Sequence, residues 1–228
     1  MRFRELDYFN DRDPHSGPWN MAADEILFCR RGRGLRRPLL RMYSWSEPSV
    51  SLGYFERFAA VEARYVPDFA PVRRWTGGGV VLHGEDIDLT YTLVVPLTAA
   101  ESRIRARDVY GFVHGQLCSV LVEMGVPATV ASGGAERSAV ECFRNPVQCD
   151  VMVGDRKVAG AGQKRTRHGL LHQGSIQGIA LPPDFPDRFA ASLAVSVSEA
   201  GGILSVCEDE VAALAREKYA SDAWLRRF

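Results

Sequence analysis

Between Asp150 and Ser175 the chain alternates. Val151 and Val153 stand two apart, Gly154-Asp155 interrupts, Val158 resumes, and a second apolar run, Leu170 to Ile176, follows Gly169. Period-two spacing around a Gly-Asp pair predicts a β-hairpin. The same reading gives strands at Phe3 to Tyr8, Leu39 to Tyr43, Ser49 to Leu52 and Val126 to Val130. Val80 to His83 and Leu89 to Val95 read as a further hairpin with Gly84 to Asp88 as its loop. Helical spacing appears where Val109, Phe112, Val113, Leu117, Val120, Leu121 and Met124 recur, which predicts a core-packing helix. Asn20 reads as the N-cap of an earlier helix carrying Met21, Ile26, Leu27 and Phe28. Phe185, Phe189, Leu193 and Val197 fit one face of a later helix. A last helix runs from Glu208 to Tyr219, with Val211, Leu214 and Ala215 inward. From Ala131 to Asp150 the periodicity is lost, Pro146 excludes a helix, and a loop with two cysteines is expected.

Length and composition narrow this. No Pro/Ser-rich linker divides the 228 residues, so residues 1–228 are expected to form a single domain. Twenty-eight basic side chains balance 28 acidic ones, which implies no bulk attraction to nucleic acid or membrane. The N-terminus lacks an apolar core of signal-peptide length and no run approaches a membrane span, so a cytoplasmic location is expected. Five cysteines, at 29, 118, 142, 149 and 207, form no C-x-x-C pair. They suggest neither a disulfide framework nor a metal site, and most are expected to be buried small hydrophobes.

Two stretches carry candidate chemistry. Lys157 falls on the hairpin beside Ala159, Gly160, Ala161 and Gly162, where small side chains leave room for a ligand against the backbone. Gly77, Gly78 and Gly79 follow Arg73, Arg74 and Thr76; such a glycine run brings peptide N–H groups close to a ligand oxygen, and guanidinium groups suit anions.

Together these stretches resemble the lipoate-protein ligase A and octanoyltransferase family. The resemblance rests on R-R-x-T-G-G-G-x-V-x-H at 73–83, L-T-Y at 89–91, K-V-A-G-x-x-Q-x-R at 157–165 and G-S-I at 174–176, with N-M-A-x-D-E at 20–25 and R-x-Y-x-W-x-x-P-x-x-S-L-G-Y at 41–54. It covers roughly residues 15–180. It implies an α/β (α+β) domain like the catalytic core of biotin and lipoate protein ligases, with a mixed central sheet flanked by helices. It implies that Lys157 meets the acyl carbonyl or acyl phosphate, and that the Gly77 to Gly79 run and the small residues Ala159 to Gly162 bracket the acyl chain and its head group.

In the cysteine-dependent transferases, a C-F-x-x-P element lies eight residues before an acidic or polar strand-entry residue. Here Cys142-Phe143-Arg144-Asn145-Pro146 precedes Asp150 by that spacing. The resemblance therefore implies Cys142 as nucleophile, with Lys157 and either His83 or His172 stabilising the thiolate or shuttling protons, although His172-Gln173 reverses the usual order and favours a structural His172. Cys149 at the strand entry is expected to be structural. The donor would be acyl carrier protein and the acceptor a lysine of a lipoyl domain or glycine cleavage H protein, without a cofactor. The ligase branch would instead need ATP and Mg2+; it commonly shows Asn-Asp where this chain has Cys149-Asp150, and often a C-terminal accessory domain that is not expected here. A non-catalytic acyl-binding module is the third reading. Arg156, Lys164, Arg165 and Arg167 are the expected docking patch for acidic carriers.

Overall fold

Strong alternation along the middle of the chain produces a sheet whose two faces meet different partners. The computed structural model describes residues 2–31, 37–84, 88–97, 104–133 and 146–228. In chain order the elements are β1 (Phe3–Asn10), α1 (Gly17–Arg31), β2 (Leu39–Tyr43), β3 (Ser49–Leu52), α2 (Phe58–Tyr65), β4 (Ala70–Arg73), β5 (Val80–His83) and β6 (Asp88–Pro96). They continue with α3 (Ala106–Glu123), β7 (Ala128–Val130), β8 (Val151–Val153), β9 (Arg156–Thr166), β10 (Gly169–Gln177), α4 (Phe185–Leu193), β11 (Ala194–Glu199), α5 (Glu208–Leu214) and α6 (Asp222–Leu225). A π-helical turn, Ala215–Tyr219, prolongs α5.

Eight strands pair in the order β11-β1-β2-β6-β10-β9-β8-β7. The pairs β11-β1 and β1-β2 are parallel and the rest antiparallel. This is the mixed sheet flanked by helices that the resemblance implied. Leu40 and Met42 on β2, Leu93 on β6 and Ile176 on β10 pack with Val113 and Leu117 of α3 and Phe189 of α4. The intervening residues Leu39, Tyr43, Val94 and Leu171 turn to the other face, against Met21, Leu27 and Phe28 of α1 and Tyr219. Full burial of each such side chain contributes about 1.5–3 kcal/mol. A second sheet, β4-β3-β5, has its own small core in which Val50, Leu52 and Val80 meet Phe58, Val61 and Tyr65 of α2.

Several expectations are corrected. Val80–His83 is a strand, but it forms no hairpin with β6. β5 pairs with β3, Ser51 opposite Val81, whereas β6 pairs with β2 and β10. The chain crosses from one sheet to the other between them, because Val80 has its apolar partners on β3 and β6 has them in the large sheet. Helix α1 starts at Gly17, so Asn20 is no N-cap: it is fully buried, and its amide donates to the carbonyls of His15 and Ser44, 3.1 Å each. Helix α4 ends at Leu193, and Val197 pairs with Leu6 on the parallel edge strand β11. Among the described cysteines only Cys207 is buried; Cys29 is exposed, and Cys118 and Cys149 are half-buried. No helix among the described residues is long and apolar enough to cross a membrane.

Candidate functional site

Gly154 turns the β8-β9 hairpin with φ 57°, and Lys157 emerges from β9 almost wholly buried. Its Nζ lies 2.8 Å from Asp150 Oδ2. A buried cation needs such a partner, and the carboxylate in turn is tightly held. Val147 N–H donates to Asp150 Oδ2 at 2.7 Å, the Tyr110 hydroxyl donates to Oδ1, and Ala161 N–H donates to the Tyr110 oxygen at 3.1 Å. The lysine side chain lies across Gly160, where a Cβ would overlap its Cε and Nζ.

Cys149, just before the aspartate, has φ 72°, a left-handed conformation that costs about 1–2 kcal/mol in a non-glycine residue. Two bonds hold it there: its N–H donates to Ala131 O at 2.9 Å, and its carbonyl accepts from His114 Nδ1 at 2.7 Å. Because that carbonyl can only accept, His114 carries its proton on Nδ1, and its Nε2 accepts from Tyr91 OH at 3.0 Å. The Tyr91 oxygen then accepts from His172 Nε2 at 3.2 Å, which leaves His172 Nδ1 to accept from the Gln163 amide at 2.9 Å. Every proton in this buried chain is thereby assigned.

Both histidines are neutral. Burial lowers the His114 pKa from 6.5 to about 4 and that of His172 well below 6.5. The unfolded chain therefore binds protons that the fold refuses, so stability is full above pH 6.5 and falls towards pH 4. Urea midpoints should drop between pH 7 and 5 by the equivalent of about 2 kcal/mol for His114 alone. His114→Gln should flatten that slope; an unchanged slope would remove His114 as its source.

Lys157 faces a narrow cleft between the two sheets. Gly160, Ala161, Gly162, Gly174 and Ser175 form its floor. Ser51, Arg74, Gly78, Val81 and His83 line the opposite wall, and Met21, Tyr43 and Trp45 add apolar surface. Strand β9 approaches the glycine run so closely that a Cβ on Gly162 would overlap Gly77 O, and Gly78 adopts φ 96°. Gln173 reaches in from β10, its amide donating to Asp24 Oδ2 at 2.7 Å and its oxygen accepting from Thr76 at 2.7 Å.

Residues 16–217 match the lipoyl protein ligase A/B catalytic domain. The chain belongs to that family. Among its curated relatives, octanoyltransferase LipM of Symbiobacterium thermophilum is 32% identical over 176 residues, 73% of this chain and 63% of that protein. The Moorella thermoacetica octanoyltransferase LipM is 34% identical over 171 residues, 72% and 61% of the two chains. The chain thus spans about three-fifths of the length of these curated relatives. Protein Ta0514 of T. acidophilum with bound lipoic acid superposes over 100% of both chains at 19% identity, with a TM-score of 0.76. Lipoate-protein ligase A bound with ATP does so over 99% of each at 18% identity, TM-score 0.73. The chain has the fold of these ligases.

In this member of the family, Arg74, Gly78, His83, Lys157, Gly160, Ala161 and Gly162 line one cleft. Asp150 holds Lys157 from behind, Thr76 holds Gln173, and Gly77 and Gly79 act through their backbone: Gly77 N–H donates to Gln163 O at 3.3 Å and Gly79 O accepts from Arg74 at 2.7 Å. Arg73 is a correction. It is fully buried and does not line the cleft, its guanidinium being spent on backbone carbonyls. Cys142 lies outside the described residues. Cys149 lines a separate depression beside α3 rather than the Lys157 cleft.

The expected basic patch is also corrected: Arg156 stands at the opposite end of β9 from Lys164 and Arg165, roughly 26 Å along the strand. Lys164 lies over the rings of Tyr54 and Trp75 at 5.1 and 5.4 Å. Sequence reasoning did not single out Ser51, Ser175 or Tyr110. The alternation on β10 carried a signal for Ser175, which shares the Gln173 face; nothing local marked Tyr110, which belongs to a helix about 40 residues away.

Proposed function

We propose that this chain is an octanoyltransferase. It takes an octanoyl group from an acyl carrier protein thioester and passes it to a lysine amine of a lipoyl domain or glycine cleavage H protein, through an acyl-Cys142 intermediate. The observation that carries this reading is the buried lysine, fixed by Asp150 against an apolar cleft. The sequence spacing of Cys142 and the names of the family relatives support it.

The Cys142 thiolate adds to the thioester carbonyl, forming a C–S bond and an oxyanion, and collapse expels the carrier's thiolate. The acceptor amine repeats the addition, and Cys142 leaves as the amide forms. Lys157 supplies a fixed positive charge where the oxyanion develops, so it favours the transition state over the bound ester. The apolar walls hold the hydrocarbon chain and exclude water, which limits hydrolysis of the intermediate.

A ligase reading would require ATP and Mg2+. The donor set at the strand entry does not fit a magnesium ion: the Asp150 carboxylate already accepts from Lys157, Val147 N–H and Tyr110, and Cys149 replaces a polar neighbour. A binding module without chemistry is disfavoured because an apolar cleft gains nothing from a desolvated ion pair.

Intact-mass spectra after mixing with octanoyl-acyl carrier protein, without ATP, test the proposal. A hydroxylamine-labile octanoyl adduct is expected on the native protein and none on Cys142→Ala. No adduct, with pyrophosphate released once lipoate and Mg-ATP are supplied, would make the protein a ligase.

A further inference from the structure

Outside the glycine run, aromatic rings and cations gather on one surface. The chain leaving β3 is tied to the run: Gly53 N–H donates to Gly79 O at 3.1 Å, Tyr54 N–H donates to Thr76 O at 2.9 Å, and a Cβ on Gly53 would overlap Gly78 O. Tyr54 and Phe55 therefore ride on the lip of the cleft, where Gly78 is exposed. Phe55 is 74% exposed, and its ring stands edge-on to Tyr54 at 4.8 Å. Lys164 of β9 lies over Tyr54 and Trp75, and the Arg227 guanidinium lies over Tyr54 at 5.3 Å. A ring face positions a cation without neutralising it. Among the described residues no carboxylate forms an ion pair with Lys164, Arg227 or the exposed Arg57, whereas the neighbouring Lys218 and Arg226 are paired with Glu25 and Glu62. Glu56 is the acid of that turn, against three cations. An exposed aromatic ring among unneutralised cations is the composition of a protein-docking surface.

We propose that Phe55, Tyr54, Lys164 and Arg227 form the surface on which the acyl donor docks, and that the donor is an acidic carrier protein. The proposal rests on the transferase reading above and adds the place where its first substrate binds. The cations meet carboxylates of the carrier, which steers the encounter, and Phe55 meets an apolar side chain among them. Distance favours the donor over the acceptor. Lys157 lies across Gly160, and Lys164 stands four residues further along β9, roughly 13 Å. The side chain of an acceptor lysine is shorter than that. A carrier holds its thioester at the end of a phosphopantetheine arm, which spans it, and at Gly78 the lip has no side chain to obstruct the arm.

Two donors separate docking from chemistry. Octanoyl-acyl carrier protein and octanoyl-pantetheine offer the same thioester with and without the protein, and loading from each is followed by intact mass over a range of concentrations. Phe55→Ser and Lys164→Glu should each raise the carrier concentration needed for half-maximal loading about tenfold, keep the maximal rate, and leave loading from octanoyl-pantetheine within about twofold of native. Raising salt from about 0.05 to about 0.5 M should weaken loading from the carrier alone. Phe55 projects into solvent, so its serine variant keeps the fold. Equal losses with both donors, or native behaviour of both variants towards the carrier, would overturn the docking surface. A defect confined to later transfer to a lipoyl domain would overturn it too, by giving the surface to the acceptor. A native protein that forms no adduct with either donor would refute the transferase reading itself, and the docking surface with it.

Discussion

Lys157→Met is expected to form the octanoyl adduct ~10²–10³ times more slowly than the native protein, the usual consequence of removing one preorganised donor from a developing oxyanion. Methionine keeps an unbranched side chain that ends one atom short of the ammonium, so it still crosses Gly160 and the cleft largely keeps its shape. Asp150 loses its cation but retains Val147 N–H and the Tyr110 hydroxyl. Circular dichroism and a denaturation curve should therefore show a folded, though less stable, protein. Rapid-quench intact-mass measurement gives the rate. A decrease of less than about tenfold, roughly 1.4 kcal/mol of barrier, would remove Lys157 from the oxyanion role.

The largest effect on stability should come from Arg73→Leu. The Arg73 guanidinium donates to the carbonyls of Gly53, Tyr54 and Glu56 at 3.2, 2.9 and 2.7 Å and reaches those of Trp224 and Leu225 at 3.0 and 2.6 Å. Leucine fills part of the space but leaves those acceptors without donors, a loss of about 3 kcal/mol or more. Arg73→Lys should recover little, since an ammonium cannot span acceptors that a planar fork serves together. Urea unfolding of both variants measures this. Two midpoints near the native value would show that water replaces the guanidinium at no cost.

Much of the sheet was legible because period-two alternation is a local signal. The hairpin that carries Lys157, the strand at Leu39–Tyr43 and the opposite facing of His172 and Gln173 follow from it directly. Partner choice is not local. Val80–His83 reads identically whether it pairs with β6 or β3, and only the core that Val80 shares with Val50 and Leu52 decides. Val197 fits a helical face equally well, yet Leu6 on β1 draws it into a strand. For the site, glycines were informative because they mark close approach, as at Gly162. Arginines were not: Arg73 and Arg74 are adjacent in sequence, but alternation sends one to carbonyls of the surrounding loops and the other to the cleft wall. Tyr110 became visible only when α3 was laid beside its partners.

The parallel edge has a consequence for biosynthesis. β1 is made well before one of its two neighbours, β11, which is translated some 190 residues later; Phe3 pairs with Ala194 and Tyr8 with Glu199. Until then the outer edge of β1 presents unanswered N–H and C=O groups to any other nascent strand, an opening for intermolecular pairing. A ribosome that stalls before residue 194 thus releases a chain whose Lys157 hairpin is complete but whose sheet is open at its other side, a product better suited to aggregation than to catalysis.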